Sequence, residues 1–446
     1  MDARVDGPIL RPEIEGRSPE EQRALDRPRY RRQVEYLFGA SGFYRRKLAA
    51  AGFKDAAAVG DLDDIAALPF TEKDELRASQ AEAPPFGTHV AAPREAIARV
   101  FSTSGTTGDP VYIPVTRNDV AMWVEISSRS YFATGLRPGM TVVSTYNAGP
   151  FVAGVALDTV ASLGLCHVPV GTGNTARLVR ALQLIRPQAL LCTPSYALYL
   201  AEHLAERGIA PDKLGVERIS VAGEPGGGDP VIRDRLQTAF GARLCEAMGI
   251  GDVSISLWGE CDAQQGMHFS GGDFVHVEVI DPTTGKPVPI EDGASGELVY
   301  TALQREAAPL LRFRSRDHVV VHTGRCSCGR NTMRVRCVGR TDDLLIVRGV
   351  NVFPTAIRSV VAEFAPQVSG ALVIRPTKRG VRQEPPLPVV VELAAGVAGS
   401  EAMAQAIEQA IRARLVVGTK VELAPYGSLP RSEYKSKLVD FGAASG

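Results

Sequence analysis

Between Val100 and Val221, short apolar and β-branched runs such as Thr141-Val142-Val143 and Ala189-Leu190-Leu191 alternate with helical stretches such as residues 174–184. Strand–helix alternation of this kind is the pattern of a layered α/β sheet, and it constrains the fold more than any other feature of the chain. A second such unit occupies residues 218–249, where Ile219-Ser220-Val221 leads into Ala222-Gly223-Glu224-Pro225 and three glycines. Strand, tight turn and helix are expected there in that order. With 446 residues, 45% of them hydrophobic, the chain can bury large cores and is long enough for two or three domains.

Before the alternating region, residues 28–50 place Tyr30, Val34, Leu37, Phe38 and Tyr44 among arginines, which predicts an amphipathic helix broken near Gly39 to Gly42. Thr71-Glu72-Lys73-Asp74 predicts a further helix opening with a capping box. From about residue 255 to 340 the text turns to strands and turns, with Asp281-Pro282-Thr283-Thr284-Gly285 as hairpin punctuation and Gly296 to Tyr300 as a strand. A β-rich subdomain is expected. Past Gly339 the order is strand 344–347, helix 354–364, strands 371–374 and 388–393, helix 400–415 and strand 421–423, enough for a compact α+β unit. The expected fold class is therefore α/β: a large N-terminal body of several subdomains over residues 1–340, then a small α+β C-terminal domain over 341–446.

Lysine plus arginine and aspartate plus glutamate both number 50, so no global field draws in nucleic acid or a membrane surface. Any anion is bound locally. Seven cysteines, an odd count scattered over a long chain, fit reduced thiols in a cytoplasm better than a disulfide framework. The first 19 residues carry no apolar leader, and no run approaches the ~20 apolar residues that span a bilayer, so a soluble, unprocessed protein is expected.

A place for such an anion is Phe101-Ser102-Thr103-Ser104-Gly105-Thr106-Thr107-Gly108-Asp109-Pro110. Gly105 and Gly108 permit close backbone approach, so successive amide N–H groups can converge on a polyphosphate while the hydroxyls add donors. Apolar flanks on both sides suggest a loop between paired strands. Without a Gly-Lys-Ser/Thr ending it is not a Walker loop. By itself such a run is equally an ordinary solvated turn. A second constellation is Cys261-x6-His268 with Cys326-x-Cys328, followed by Gly329-Arg330. Three thiolates and an imidazole suit a closed tetrahedral Zn²⁺ site, and with no water-activating glutamate placed beside them the metal reads as structural, one zinc per chain.

Taken together, these stretches resemble the adenylate-forming superfamily of acyl-CoA synthetases, peptide-synthetase adenylation domains and luciferases, and within it the phenylacetate–CoA ligase branch. The resemblance is colinear over nearly the whole chain. Ser102, Thr103, Ser104, Gly105, Thr106, Thr107 and Gly108 resemble its phosphate loop, and Gly223, Glu224 and Pro225 its adenine-side turn. Met248-Gly249-Ile250-Gly251-Asp252 resembles its aromatic-Gly-x-x-Glu segment, and Arg312 to Asp317 its ribose motif. Arg340-Thr341-Asp342-Asp343 resembles the hinge, Arg348-Gly349 the turn beyond it, and Leu429 to Lys435 the C-terminal lysine motif.

The resemblance implies ATP and Mg²⁺ as cofactors, CoA as acceptor, an aromatic carboxylic acid as substrate, and a mobile C-terminal domain. Lys435 would be catalytic, with Lys437 as competitor; Asp317 would take the ribose and Arg340 would lie near the nucleotide. Asp342 would be the hinge, and Arg348 and Gly349 would meet CoA. Tyr146, Phe151, Gly154, Val155, Asp158, Gly223 and Ile250 would line the acyl pocket, although Asp158 reads more readily as a helix-surface carboxylate than as a contact to an amino or hydroxyl substituent. The zinc residues have counterparts in the same branch. Four departures stand out: Asp109 for lysine, Asp252 for glutamate, Met248 for an aromatic, and Tyr434 for glycine. Transfer to a carrier-protein thiol or an amine, or nucleotide binding without catalysis, remains open, and a homodimer is compatible with the resemblance.

Overall fold

The computed structural model describes residues 7–103, 110–146, 154–378, 380–430 and 437–442. Its spine is an 11-stranded sheet. In spatial order the strands are Val275–Ile280, Ser295–Ala302, Phe313–His322, Arg334–Arg340, Met267–Phe269, Ser254–Glu260, Arg243–Ile250, Arg218–Val221, Ala189–Cys192, Thr141–Ser144 and Cys166–Pro169. The last five pair in parallel, with helices Gly154–Ser162, Thr175–Ile185, Pro194–Glu206 and Pro230–Phe240 in the connections. All four residues of Ala189–Cys192 are buried, as befits a parallel strand covered on both faces.

The β-rich stretch is not a sheet of its own. Arg243–Ile250 pairs in parallel with Arg218–Val221 on one edge and antiparallel with Ser254–Glu260 on the other, so the two halves are continuous. The turn joining the antiparallel pair is tight: a Cβ on Gly249 would lie 2.0 Å from the Ile255 carbonyl oxygen. Helix Arg117–Ala133 packs beneath this half, so closely that a Cβ on Gly259 would meet the Ser130 oxygen at 2.3 Å. Strands Arg99–Ser102 and Tyr112–Val115 form a separate antiparallel pair with Ser102 opposite Tyr112, which puts the Ser/Thr/Gly run between paired strands as expected.

Two helix starts differ from the sequence reading. Helix Pro19–Ala40 begins nine residues before Pro28, because Ser18 and Glu21 cap it reciprocally, at 3.1 and 2.8 Å. It stops where expected, at Ser41, which caps Gly42–Ala50. Helix Lys73–Glu82 is capped from Glu72, not Thr71. Thr71 turns inward, its hydroxyl donating to the Leu311 carbonyl at 2.7 Å, so burial wins over capping.

From Leu345 onward the chain builds two three-stranded sheets: Val350–Val352, Leu345–Val347 and Arg382–Gln383, then Val368–Ile374, Leu387–Leu393 and Thr419–Ala424. Helices Pro354–Ala362 and Glu401–Leu415 close over a core drawn wholly from this segment, including Ile357, Val361, Val391 and Ile407. Among the described residues no helix is long and apolar enough to cross a membrane.

Candidate functional site

The parallel strands Thr141–Ser144, Ala189–Cys192 and Arg218–Val221 point their carboxyl ends the same way, the end of an open α/β sheet where ligands bind. Beyond Val221 the chain turns through Gly223 at φ +96°. Glu224 accepts a hydrogen bond from the Ser195 amide at 2.9 Å, fixing the turn to the start of the next helix. A buried carboxylate lies beneath: Glu246 accepts from the Gly227 amide at 3.1 Å, and its carboxyl is pushed up to about 7, by burial first and then by nearby Glu260. Glu260 is itself paired with Arg233 at 2.6 Å. Sequence reasoning missed this trio, because a glutamate in a strand ordinarily reads as a solvated position.

Asp317 lies directly opposite Arg340 on the neighbouring strand. Arg340 reaches Asp317 at 3.4 Å and Asp342 at 2.8 Å, linking ribose motif and hinge motif in one ion-pair network. Burial raises the Asp317 carboxyl to about 6, with Arg340 opposing and Asp342 adding to the rise. The three arginines of its own motif pair elsewhere: Arg312 takes Glu278, Arg314 takes Glu297 and Arg316 takes Glu72. Asp343 is likewise raised, by burial and then Asp342, while Arg340 and Lys437 act against the rise. The chain end returns along Val368–Ile374, with the Ile374 amide donating to the Leu438 carbonyl at 2.8 Å. Lys435 and Tyr434 lie outside the described residues, as do Ser104, Gly105, Thr106, Thr107, Gly108, Asp109 and Phe151.

Asp252 is buried, with both oxygens on the Lys73 ammonium at 2.7 and 2.6 Å. Lys73, the first residue of its helix, was not singled out from the sequence. Met248 and Ile250 are partly buried against the core that contains Trp258, and Met248 stands opposite Trp258 in the sheet. At the loop, Ser102 is buried and the Thr103 amide donates to Val111 at 3.2 Å. Of the acyl-pocket residues, Tyr146 packs against the core containing Tyr131 and Val160, Gly154 opens a helix, and Val155 is wholly buried. Asp158 forms an ion pair with Arg99 at the surface, which favours the helix-surface reading over a substrate contact. Arg348 and Gly349, at φ +49° and +83°, form the two-residue turn between Leu345–Val347 and Val350–Val352. A Cβ on Gly349 would meet nothing within 4 Å, so the backbone conformation, not crowding, calls for glycine there.

The cysteine constellation comes together. Cys261 follows one strand, His268 lies on the next, and Cys326 and Cys328 sit on a turn held by the Cys326 amide donating to Arg330 at 2.9 Å. The four ligand atoms lie within 4.8 Å of one another. Cys261 Sγ is 3.7 Å from Cys326 Sγ, and Cys328 Sγ is 3.5 Å from His268 Nε2. A tetrahedral ion with Zn–S of about 2.3 Å and Zn–N of about 2.05 Å sets these edges near 3.8 and 3.6 Å, whereas a disulfide needs about 2.05 Å. The donor set therefore fits zinc. Cys328 is held well below the ordinary thiol range, chiefly by its hydrogen bond with Cys261 and also by His268. Behind it, Arg330 is wholly buried, pairs with buried Glu15 at 2.6 Å and donates to Pro8 at 2.9 Å, so the cluster is tied to the N-terminal segment.

Two family models match the chain, described as AMP-binding enzyme over residues 43–303 and AMP-binding enzyme C-terminal domain over residues 349–440. Over 444 residues the chain is 37% identical to a phenylacetate-coenzyme A ligase of Thermus thermophilus, covering 95% of this chain and 97% of that protein. In structure it is similar to 2-hydroxyisobutyryl-CoA ligase in the postadenylation state in complex with R3-HIB-AMP, with a TM-score of 0.89, 29% identity, and coverage of 98% of this chain and 93% of that one. Against that enzyme in complex with 2-HIB-AMP and CoA in the thioesterification state the TM-score is 0.72, at 30% identity and coverage of 99% and 94%. Identity and coverage are nearly matched between the two, while the score is lower against the thioesterification state.

Proposed function

The chain belongs to the AMP-binding enzyme family, and from that premise we propose that it is an ATP-dependent, AMP-forming acid–CoA ligase acting on a small aromatic carboxylic acid. A carboxylate oxygen attacks the α-phosphorus of ATP and pyrophosphate leaves; the CoA thiolate then attacks the acyl carbon and AMP leaves. What carries this reading is that the two family matches, residues 43–303 and 349–440, flank the Asp317–Arg340–Asp342 network. Ribose acceptor and hinge are thus coupled at the junction of an N-terminal lobe, residues 1–340, and a C-terminal lobe, residues 341–446.

In this reading Asp317 accepts both ribose hydroxyls, and Gly223, Glu224 and Pro225 bound the adenine side. Ser102 and Thr103 begin the phosphate cradle. Lys435 supplies the ammonium that stabilises charge on the attacking carboxylate and the α-phosphate. In support, Lys437, two residues on, acts on Asp343 beside the hinge. Asp252 already has a cation on both oxygens, so a magnesium ion on the ATP phosphates would share this carboxylate with Lys73. Mg²⁺ would neutralise phosphate charge. Zinc on Cys261, His268, Cys326 and Cys328 would be a staple with no part in the reaction, and its thiolates suit a reducing cytoplasm. Tyr146, Gly154 and Ile250 would face the ring of an aryl acid in this reading.

Pyrophosphate release across a panel of aromatic acids, with and without CoA, is the test. Acid-dependent release with a CoA thioester product is expected. Product formed equally well without CoA would move the acceptor to a carrier thiol or an amine, and ATP binding without release for any acid would reduce the chain to a nucleotide-binding homologue.

A further inference from the structure

We propose that Arg358, on helix Pro354–Ala362 of the C-terminal lobe, is a positioning residue that latches this lobe onto the adenine-side turn for adenylation and must let go for thioester formation. The proposal rests on the acid–CoA ligase reading above.

Arg358 is only 8% exposed, and its guanidinium donates to the Pro225 carbonyl on the N-terminal lobe. Its Nε is buried with no partner among the described residues. A leucine or methionine would fill such a seam at lower cost, since burying an incompletely bonded cation is unfavourable unless its charge is used. The charge is answered from three elements: Glu224 in the turn, Asp229 at the start of helix Pro230–Phe240, and Glu246 in the strand beneath. Burial pushes the guanidinium below its ordinary value and these carboxylates oppose that fall. Gly226 leaves the approach open, for a Cβ there would lie 3.0 Å from Arg358 Nη2. Next to it Ser359 donates to Asp229, which also caps its helix by accepting from the Val231 amide at 2.9 Å.

The remainder of the seam is mixed. Arg235 donates to the Ser369 carbonyl at 3.1 Å, and a small void of about 10 Å³, lined mainly by apolar atoms, lies between Leu198, Val231, Ile232, Arg358 and Ala362. Arg358 to Pro225, Ser359 to Asp229 and Arg235 to Ser369 are hydrogen bonds across this seam, and of these groups the Arg358 guanidinium carries a buried donor that the docked arrangement leaves unmet. The docked arrangement is the one that scores 0.89 against the postadenylation relative and 0.72 against the thioesterification one. A repositioned lobe takes Arg358 away from Pro225, and the turn loses that donor.

The experiment compares full-length wild type with Arg358→Gln and Arg358→Lys in the two half-reactions: acid-dependent ATP–pyrophosphate exchange, and thioester formation from supplied acyl-adenylate plus CoA. Amide hydrogen exchange is followed over residues 223–230 and 354–362. Arg358→Gln should slow adenylation about tenfold, within the range such couplings reach, and leave thioester formation unchanged or faster. Exchange at both segments should rise, and Arg358→Lys should restore most of the adenylation and protection. Equal slowing of both half-reactions, or full adenylation with unchanged exchange in Arg358→Gln, would overturn the latch. If wild type releases no pyrophosphate with any acid, the ligase reading fails, and exchange alone decides the docking: protection retained in Arg358→Gln overturns it.

Discussion

In its proposed role Asp317 must be ionised to accept two ribose hydroxyls, yet burial holds its carboxyl up to about 6 against the pull of Arg340. The sign follows directly. Below about pH 6 the acid is increasingly protonated and loses acceptor strength, so the KM for ATP in adenylation should rise as pH falls through that value, approaching about tenfold per unit. Asp317→Asn should raise this KM at pH 8 and flatten its acid limb; an unchanged limb would move the ribose contact elsewhere. Because the folded form holds its proton more tightly than the unfolded chain, this group's contribution to stability falls as pH rises from about 4 to 6, opposite to its effect on ATP binding. Arg330 poses a different problem. With Arg330 and Glu15 both wholly buried, Arg330→Met strands a carboxylate and should cost about 3 kcal/mol in denaturant unfolding, whereas Glu15→Leu combined with Arg330→Met should recover much of it.

The cysteine turn converts that residue-level cost into a property of an element. If a zinc ion bridges Cys261, His268, Cys326 and Cys328, it ties two strands and the turn between 322 and 334 to the N-terminal segment through Arg330. Metal analysis of protein purified without chelator should find one zinc per chain. Cys328→Ser or chelation should lower the melting temperature and expose residues 8–17 to proteolysis while leaving the ATP KM nearly unchanged; intact melting after chelation would remove the staple. This cluster was legible in the sequence because thiol and imidazole spacing is itself the chemistry. The two-residue turn at Arg348-Gly349 was likewise readable as a turn. The Glu246, Glu260 and Arg233 layer was not, since nothing local says that a strand glutamate faces inward under a glycine turn. Nor was the continuous sheet, because Arg243–Ile250 carries no local mark of pairing in parallel on one edge and antiparallel on the other. The start of helix Pro19–Ala40 is masked for a related reason: Pro28 looks like a boundary until the cap at Ser18 is weighed.

At the scale of the molecule the question is where the chain turns between half-reactions. Thr341 is fastened to the N-terminal lobe, its amide donating to Arg316 at 2.7 Å and its hydroxyl to Glu297 at 2.9 Å, while Leu345 already belongs to the C-terminal core. If the lobes rotate as proposed, the rotation is confined to the few bonds between them, with Asp342 at their head. Proline at 342 would fix φ near −65° and restrict Thr341 as well, blocking the swing without touching either core. Asp342→Pro should keep adenylation and slow thioester formation by about 100-fold, a barrier increase of about 3 kcal/mol. Asp342→Ala, which frees Arg340 in the same way but leaves the backbone unconstrained, should retain both steps. Asp342→Pro and Arg358→Gln thus pull in opposite directions, one holding the arrangement that the other releases, and each should spare the half-reaction that the other slows. If both slow the same half-reaction, the lobes do not alternate about this junction.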